Sequence, residues 1–216
     1  MSFLQSLTRR LRPGPDIDDS RWVVLDVESS GLDPKRDRLL AIAAIAVTTG
    51  GQRARVVPGD SFEVVLRQDV SIADKGNILL HGIGVGAQRK GVPPVAALTA
   101  FERFIGSSPL IAFHAAFDQA LILRAFDSVL GYRPANPWLD LEPLAAVLNP
   151  KVRARSLDEW MAQMNIRCAV RHQAAADTLA TAELLQKLWP AAQRDMGGKV
   201  TFAAASRLAA QRRWLT

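Results

Sequence analysis

The sequence has one cysteine, Cys168, one tyrosine and three histidines in 216 residues. A lone cysteine forms no intramolecular disulfide and offers no zinc-binding spacing, so a disulfide-stapled fold and a thiolate metal cage are excluded. Long apolar runs are also lacking. The longest, Leu39 to Val47, is less than half of the ~20 residues that a spanning helix requires. The N-terminus has no uncharged apolar core ahead of its arginines, so no signal peptide is expected and a reduced, cytoplasmic setting fits best. With 14 Gly and 12 Pro the chain is too sparsely punctuated to be collagen-like or of low complexity. What is present is a 49% hydrophobic chain, long enough to bury roughly 70% of its unfolded surface around one core. Lys and Arg outnumber Asp and Glu by 27 to 21, a net +6. That excess favours a polyanionic partner, nucleic acid or an acidic membrane surface.

Residues 1–20 read as a basic arm, with Phe3, Leu4, Leu7 and Leu11 at helical spacing beside Arg9, Arg10 and Arg12 and a Pro13-Gly14-Pro15 stop. Three apolar runs follow, Trp22 to Val27, Leu39 to Val47 and Ser61 to Leu66, with Gly50-Gly51 and Pro58-Gly59 as turn signals between the last two. Strands in series so closely spaced predict an antiparallel meander. A Gly-rich connection through Gly82, Gly84, Gly86 and Gly91 leads to a helix opened by Pro93-Pro94 and closed by Gly106. Leu110 to Phe113 reads as a short buried strand, 116–130 as a helix closed by Gly131, and 138–140 as one more strand. Glu142 to Leu148, Ser156 to Met164 and Gln173 to Leu188 read as helices, the second with a Ser156/Glu159 capping box and the third stopping before Pro190. The layout is α/β: a mixed sheet with helices packed on it over residues 21–189, then a basic segment, 190–216, that forms at most a last helix.

Asp26 and Glu28 end the first strand two residues apart, which places both carboxylates on one face. The small polar loop Ser29-Ser30-Gly31-Leu32 that follows leaves that end open to a ligand. Asp118 falls in the first turn of its helix, where a carboxylate meets the positive end of the helix dipole. Asp177 heads the stripe Thr181, Leu184, Leu185 and Leu188 on the face that packs on the core. A buried, unpaired carboxylate costs several kcal/mol or shifts its pKa, so Asp177 needs a cation or a hydrogen-bond partner. The nearest histidine, His172, would lie about 140° round a helix from it and must therefore sit on the preceding loop to face the same site. Four carboxylates at the ends of core elements are tolerated together only around divalent cations, and hard oxygen donors select Mg²⁺ or Mn²⁺.

The segments Asp26-Val27-Glu28-Ser29-Ser30-Gly31-Leu32, His114-Ala115-Ala116-Phe117-Asp118 and His172 with Asp177 five residues on resemble the three motifs of the DnaQ-like, DEDDh 3′–5′ exonucleases. Leu79 to Ile83 around His81, Ser156-Leu157-Asp158 and Asp177 to Ala182 add to the match, which spans about residues 21–189. The usual Thr-Thr of the first motif is Ser29-Ser30 here, which keeps the hydroxyls, and the common Asn of the second is His114.

The resemblance implies a ribonuclease H-like fold and two-metal phosphodiester hydrolysis, in which one ion activates water and the other stabilises the leaving oxygen. Carried over by position, Asp26 bridges both ions, Glu28 and Asp177 complete the nucleophile-side ion, and Asp118 holds the second. His172 takes the proton of the water, a role suited to an imidazole. His81 contacts the terminal nucleotide, while Ser29, Leu32, His114 and Phe117 line the substrate pocket. The implied substrate is the 3′ end of single-stranded DNA, cleaved by a stand-alone enzyme or as the proofreading partner of a DNA polymerase, similar to the epsilon subunits of bacterial replicases. Two alternatives stay open: the same chemistry on RNA, and a non-catalytic nucleic-acid-binding module on the same fold. Further basic clusters at Lys35, Arg36 and Arg38, at Lys151, Arg153 and Arg155, and at Arg207, Arg212 and Arg213 are candidate phosphate contacts.

Overall fold

The computed structural model describes residues 16–50, 53–69, 75–168 and 170–214; the expected N-terminal arm falls largely outside them. The three apolar runs form β1 (Arg21–Ser29), β2 (Leu39–Thr48) and β3 (Arg55–Val65), paired antiparallel as a meander. Beyond it come α1 (Lys75–His81), α2 (Val85–Lys90), α3 (Pro94–Ile105), β4 (Leu110–Ala112), α4 (Ala116–Leu130) and β5 (Trp138–Asp140). The chain continues as α5 (Leu141–Leu148), α6 (Leu157–Met164), α7 (Ala174–Asp195) and α8 (Phe202–Ala210), with a last 3-10 turn at Gln211–Trp214. The sheet order is β3-β2-β1-β4-β5, with β4 parallel to β1 and β5 parallel to β4.

β1 lies at the centre because its side chains are apolar on both faces. Val23, Leu25 and Val27 pack on the layer that contains α3 and α4. Trp22 and Val24 face the layer of α5 to α8. Asp26 and Glu28 continue the second parity, so both aim toward α7. The rings of Trp189 and Phe202 meet fully buried Trp22 edge-on, with centroids 5.4 and 5.8 Å away. Among the described residues no helix is long and apolar enough to cross a membrane.

Two expectations about elements are corrected, and one connection gains structure of its own. Pro58-Gly59 is not a turn: β3 begins at Arg55 and carries the pair through a register shift opposite Ile45 and Ala46. An edge strand tolerates proline at such an irregularity, because the missing N–H is not needed by a neighbour. The glycine-rich connection holds two short helices, α1 and α2, with Gly82 at φ +73 between them, Gly84 as the α2 N-cap and Gly91 as its C-cap. The last long helix does not stop before Pro190 but runs on to Asp195. An interior proline costs about 3 kcal/mol; buried Trp189 and Ala192 on either side of it, packed in the same core, offset that.

Candidate active site

The C-terminal end of β1 forms the floor of a cavity of about 310 Å³, and all ten residues expected to form the site line it. Asp26 and Glu28 come from β1, Ser29 and Leu32 from the loop behind it, and His81 from the end of α1. His114, Phe117 and Asp118 come from the β4–α4 junction, and His172 and Asp177 from the entry to α7. All three histidines of the chain are therefore on one cavity.

The loop after β1 is held by a residue that sequence reasoning passed over. Asp37 accepts hydrogen bonds from Ser30 Oγ at 2.9 Å and from the Asp33 N–H at 2.8 Å, while Ser30 Oγ accepts from the Arg38 N–H at 2.9 Å. A Cβ on Gly31 would lie 2.6 Å from the Asp37 carboxylate, so a side chain there would push the carboxylate off these bonds. The clamp presents Leu32 at the loop tip, 90% exposed on the cavity rim.

Asp118 is buried at the start of α4, where its Oδ1 accepts the Val27 N–H at 3.1 Å and so ties the helix to β1. His114 sits at φ +59, with its N–H donated to Asp140 Oδ1 at 2.9 Å and its ring 4.6 Å from that of Phe113. His81 is buried, and its Nδ1 accepts the Ile83 N–H at 3.0 Å. The proton of the neutral ring is therefore on Nε2, which has no hydrogen-bond partner among the described residues. Burial pushes the His81 pKa down, which keeps that neutral form.

Asp177 is buried one turn into α7, with Gln173 as N-cap, so His172 does lie on the preceding loop. At φ +61 the His172 backbone turns its N–H toward Asp177 Oδ2, 3.1 Å away. Sequence reasoning missed the neighbouring Arg171, the cation paired with Asp177. Its guanidinium pairs with Asp177 Oδ1 and, at 2.5 Å, with Asp158 Oδ1 of α6. The signal was available, since a buried carboxylate demands a cation and an arginine stood beside the histidine chosen.

The electrostatics are those of crowded carboxylates, Asp118 and Asp177 buried and Asp26 and Glu28 half-buried at the cavity. Burial, then the charges of Asp118, Glu28 and Asp177, raise the Asp26 pKa well above the ordinary range, and Arg171 only partly opposes this. Glu28 is pushed up to about 7 by burial and then by Asp177. Asp118 reaches about 8 through burial, although N–H donors at its own residue and Val27 pull it down; Asp140 and Glu28 add to the rise. Such a cluster favours cations, and its donors are carboxylate oxygens suited to hard divalent ions. Cys168 Sγ lies 3.9 Å from Asp177 Oδ1, but burial raises its pKa and keeps it a neutral thiol, a poor ligand. Among the described residues no three His, Cys, Asp or Glu side chains already converge as a ligand group; Asp177 is engaged by Arg171. The donor set thus fits by chemistry, and Asp177 must exchange Arg171 for an ion to join it.

Comparisons with known proteins give a family, from sequence, and a fold, from solved structures. The RNase_T family model, described as exonuclease, matches residues 23–185. A DNA polymerase III subunit epsilon-like protein of Rhodobacter capsulatus is 32% identical over 192 residues, 87% of this chain and 26% of that protein. The PolC-type DNA polymerase III of Bacillus subtilis is 28% identical over 173 residues, 80% of this chain and 12% of that protein. The chain spans about a quarter or less of the length of these relatives. Among solved structures, the zinc ion-bound form of an E. coli ExoI–ssDNA complex matches at a TM-score of 0.70 and 20% identity, over 83% of this chain and 42% of that one. That likeness shows the fold, the ribonuclease H-like mixed sheet expected from the motifs.

Proposed function

Because the chain belongs to the RNase_T exonuclease family, we propose that it hydrolyses phosphodiester bonds at the 3′ end of single-stranded DNA and releases nucleoside monophosphates. The observation that carries the reading is that four carboxylates, from β1, α4 and α7, and three histidines line one cavity. The single-stranded DNA in the ExoI complex and the polymerase names of the relatives support DNA as substrate and a DNA polymerase subunit as partner.

Asp26, Glu28, Asp118 and Asp177 would hold divalent cations, Mg²⁺ or Mn²⁺, on their carboxylate oxygens. When bound, such ions neutralise the scissile phosphate, activate a water and stabilise the leaving oxygen. The remaining work falls to the chain. Partial burial of the carboxylates lowers the dielectric around them and strengthens the charge interactions there. His172, exposed on the loop before α7, accepts the proton of the attacking water on its ring, and its backbone bond to Asp177 fixes where the ring begins. His81 donates its unpartnered Nε2–H to the terminal nucleotide. Leu32 and Phe117 flank the terminal base, with Ser29 and His114 on the cavity wall beside them.

Digestion of 3′-labelled and 5′-labelled single-stranded DNA and RNA, in EDTA and in Mg²⁺ or Mn²⁺, tests the proposal. Stepwise loss from the 3′ end of DNA in the presence of either ion is expected. Equal or faster loss from RNA would reassign the substrate. Binding without cleavage under any divalent ion would make the chain a non-catalytic module.

A further inference from the structure

A second cavity, of about 490 Å³, carries four arginines, Arg36, Arg38, Arg67 and Arg124, with Asp69 as the single acid among the described residues that line it. Its floor is apolar, formed by Leu39, Leu66, Leu121 and Val129. Two elements join it to the active site. The loop clamped by Asp37 has Gly31 and Leu32 on the first cavity and Arg36 and Arg38 on the second. Helix α4 carries Phe117 and Asp118 to the first and, on the same side at 100° per residue, Leu121, Arg124 and Ser128 to the second. Arg124 is six residues beyond Asp118, a rise of about 9 Å along the helix axis. The two cavities are neighbours on one edge of the fold.

The wall between the arginines is firmly built. Gln68 Nε2 donates to the carbonyls of Leu39 at 3.1 Å and Leu66 at 3.2 Å, and the Arg67 N–H donates to the Val92 carbonyl at 2.8 Å. A Cβ on Gly91 would come within 2.7 Å of the Arg67 nitrogen, so the glycine lets this segment close up. Among the described residues neither Arg67 nor Arg124 makes a salt bridge, while Arg36 lies 3.7 Å from Asp33 with its side chain 89% exposed. Guanidinium groups around an open cavity match phosphate oxygens in geometry as well as charge.

We infer that this four-arginine cavity binds the sugar-phosphate backbone of the nucleic-acid strand a few nucleotides upstream of the 3′ end held in the active site. The inference rests on the reading that a strand ends there. The cavity then supplies affinity that depends on strand length, and holds the strand while terminal nucleotides are removed.

Fluorescence anisotropy in EDTA with 5′-fluorescein oligothymidylates of about three and about twelve nucleotides, lengths that bracket a short single-strand site, tests this. The probe variants are Arg67→Gln with Arg124→Gln, and Arg124→Lys as a milder change; Arg53→Gln, in a separate cleft beside Gln186 and Lys187, is the control. The double variant is expected to weaken the longer oligonucleotide on the order of fivefold more than the shorter one, and to flatten the log K against log salt slope by about 0.7 for each lost contact. Arg124→Lys keeps the slope and loses less affinity, and the control matches the parent. Equal weakening at both lengths, or an unchanged slope in a double variant with the parent's melting temperature, overturns the inference. The outcome is separable from the hydrolytic reading. Failure of the parent protein to cleave in Mg²⁺ and Mn²⁺ would refute hydrolysis, while the binding series still decides the cavity.

Discussion

Glu28→Gln is expected to make the protein more stable in EDTA at pH 8, although it removes a residue of the active site. The folded-state pKa of Glu28 is about 7, against 4.5 for an ordinary glutamate, raised first by burial and then by Asp177. The folded chain therefore binds more protons than the unfolded chain between these two values, so its stability falls as pH rises through that window. Below about pH 4.5 the group is protonated in both states and costs nothing. Above pH 7 it is charged in both, and the full penalty is present. A shift of about 2.5 units at roughly 1.4 kcal/mol per unit gives up to ~3 kcal/mol, reduced by whatever solvent screening reaches a partly exposed side chain. For a chain of this size that is about 5–10 °C in melting temperature. The assay is urea denaturation of the parent and Glu28→Gln in EDTA from pH 4.5 to 8, repeated with Mg²⁺. The difference between the two proteins should grow across the window in EDTA and shrink or reverse with Mg²⁺, because the ion stabilises only the intact carboxylate cluster. Parallel pH curves for the two proteins in EDTA, or a difference that narrows as pH rises, would refute the electrostatic account of this site.

Arg171→Met should destabilise the protein in EDTA by about 2–3 kcal/mol, since it leaves buried Asp177 without its cation; saturating Mn²⁺ should remove most of that deficit, as read from urea midpoints. Gly31→Ala forces a methyl against Asp37, so a loss of about 1–3 kcal/mol in thermal melts and a raised KM for single-stranded DNA are expected; parent-like values in both would show the clamp to be slack. Ser156→Ala removes one half of the α6 capping box and should cost about 1 kcal/mol in melting experiments, with kcat unaltered because the cap does not line the cavity.

The placement of the carboxylates was legible from short-range periodicity, while His81, Ser29, Leu32, His114 and Phe117 followed from the family resemblance alone. The two-residue spacing of Asp26 and Glu28, the helical stripe below Asp177 and the capping box at Ser156 each follow from local geometry, and each sits where the sequence places it. What was not legible depends on partners distant in the chain or on competition between local rules. The Arg171–Asp158 pair joins α6 to the loop before α7, which only the packed fold brings together. Asp37 reads as one more loop acid until Gly31 closes against it. At Pro190 the local stop signal is outweighed by tertiary burial of Trp189 and Ala192. The glycines between 82 and 91 punctuate two short helices instead of dissolving them, because their spacing puts them mostly at helix ends. The segment after α7 read as a basic tail, yet Val200, Phe202, Ala205 and Ala209 join the core cluster around Trp22.

The claim that the four carboxylates form a cation-dependent hydrolytic centre is tested most directly on Asp26, the residue assigned to both ions. Mn²⁺ binding, followed by electron paramagnetic resonance, and cleavage of 5′-labelled single-stranded DNA can be measured on the same samples of parent and Asp26→Asn. The account predicts that the parent binds Mn²⁺ and shortens the strand from its 3′ end, and that Asp26→Asn, folded with the parent's circular dichroism, loses both together. An Asp26→Asn protein that still cleaves at the parental rate, or a parent that cleaves equally well in EDTA, would contradict it.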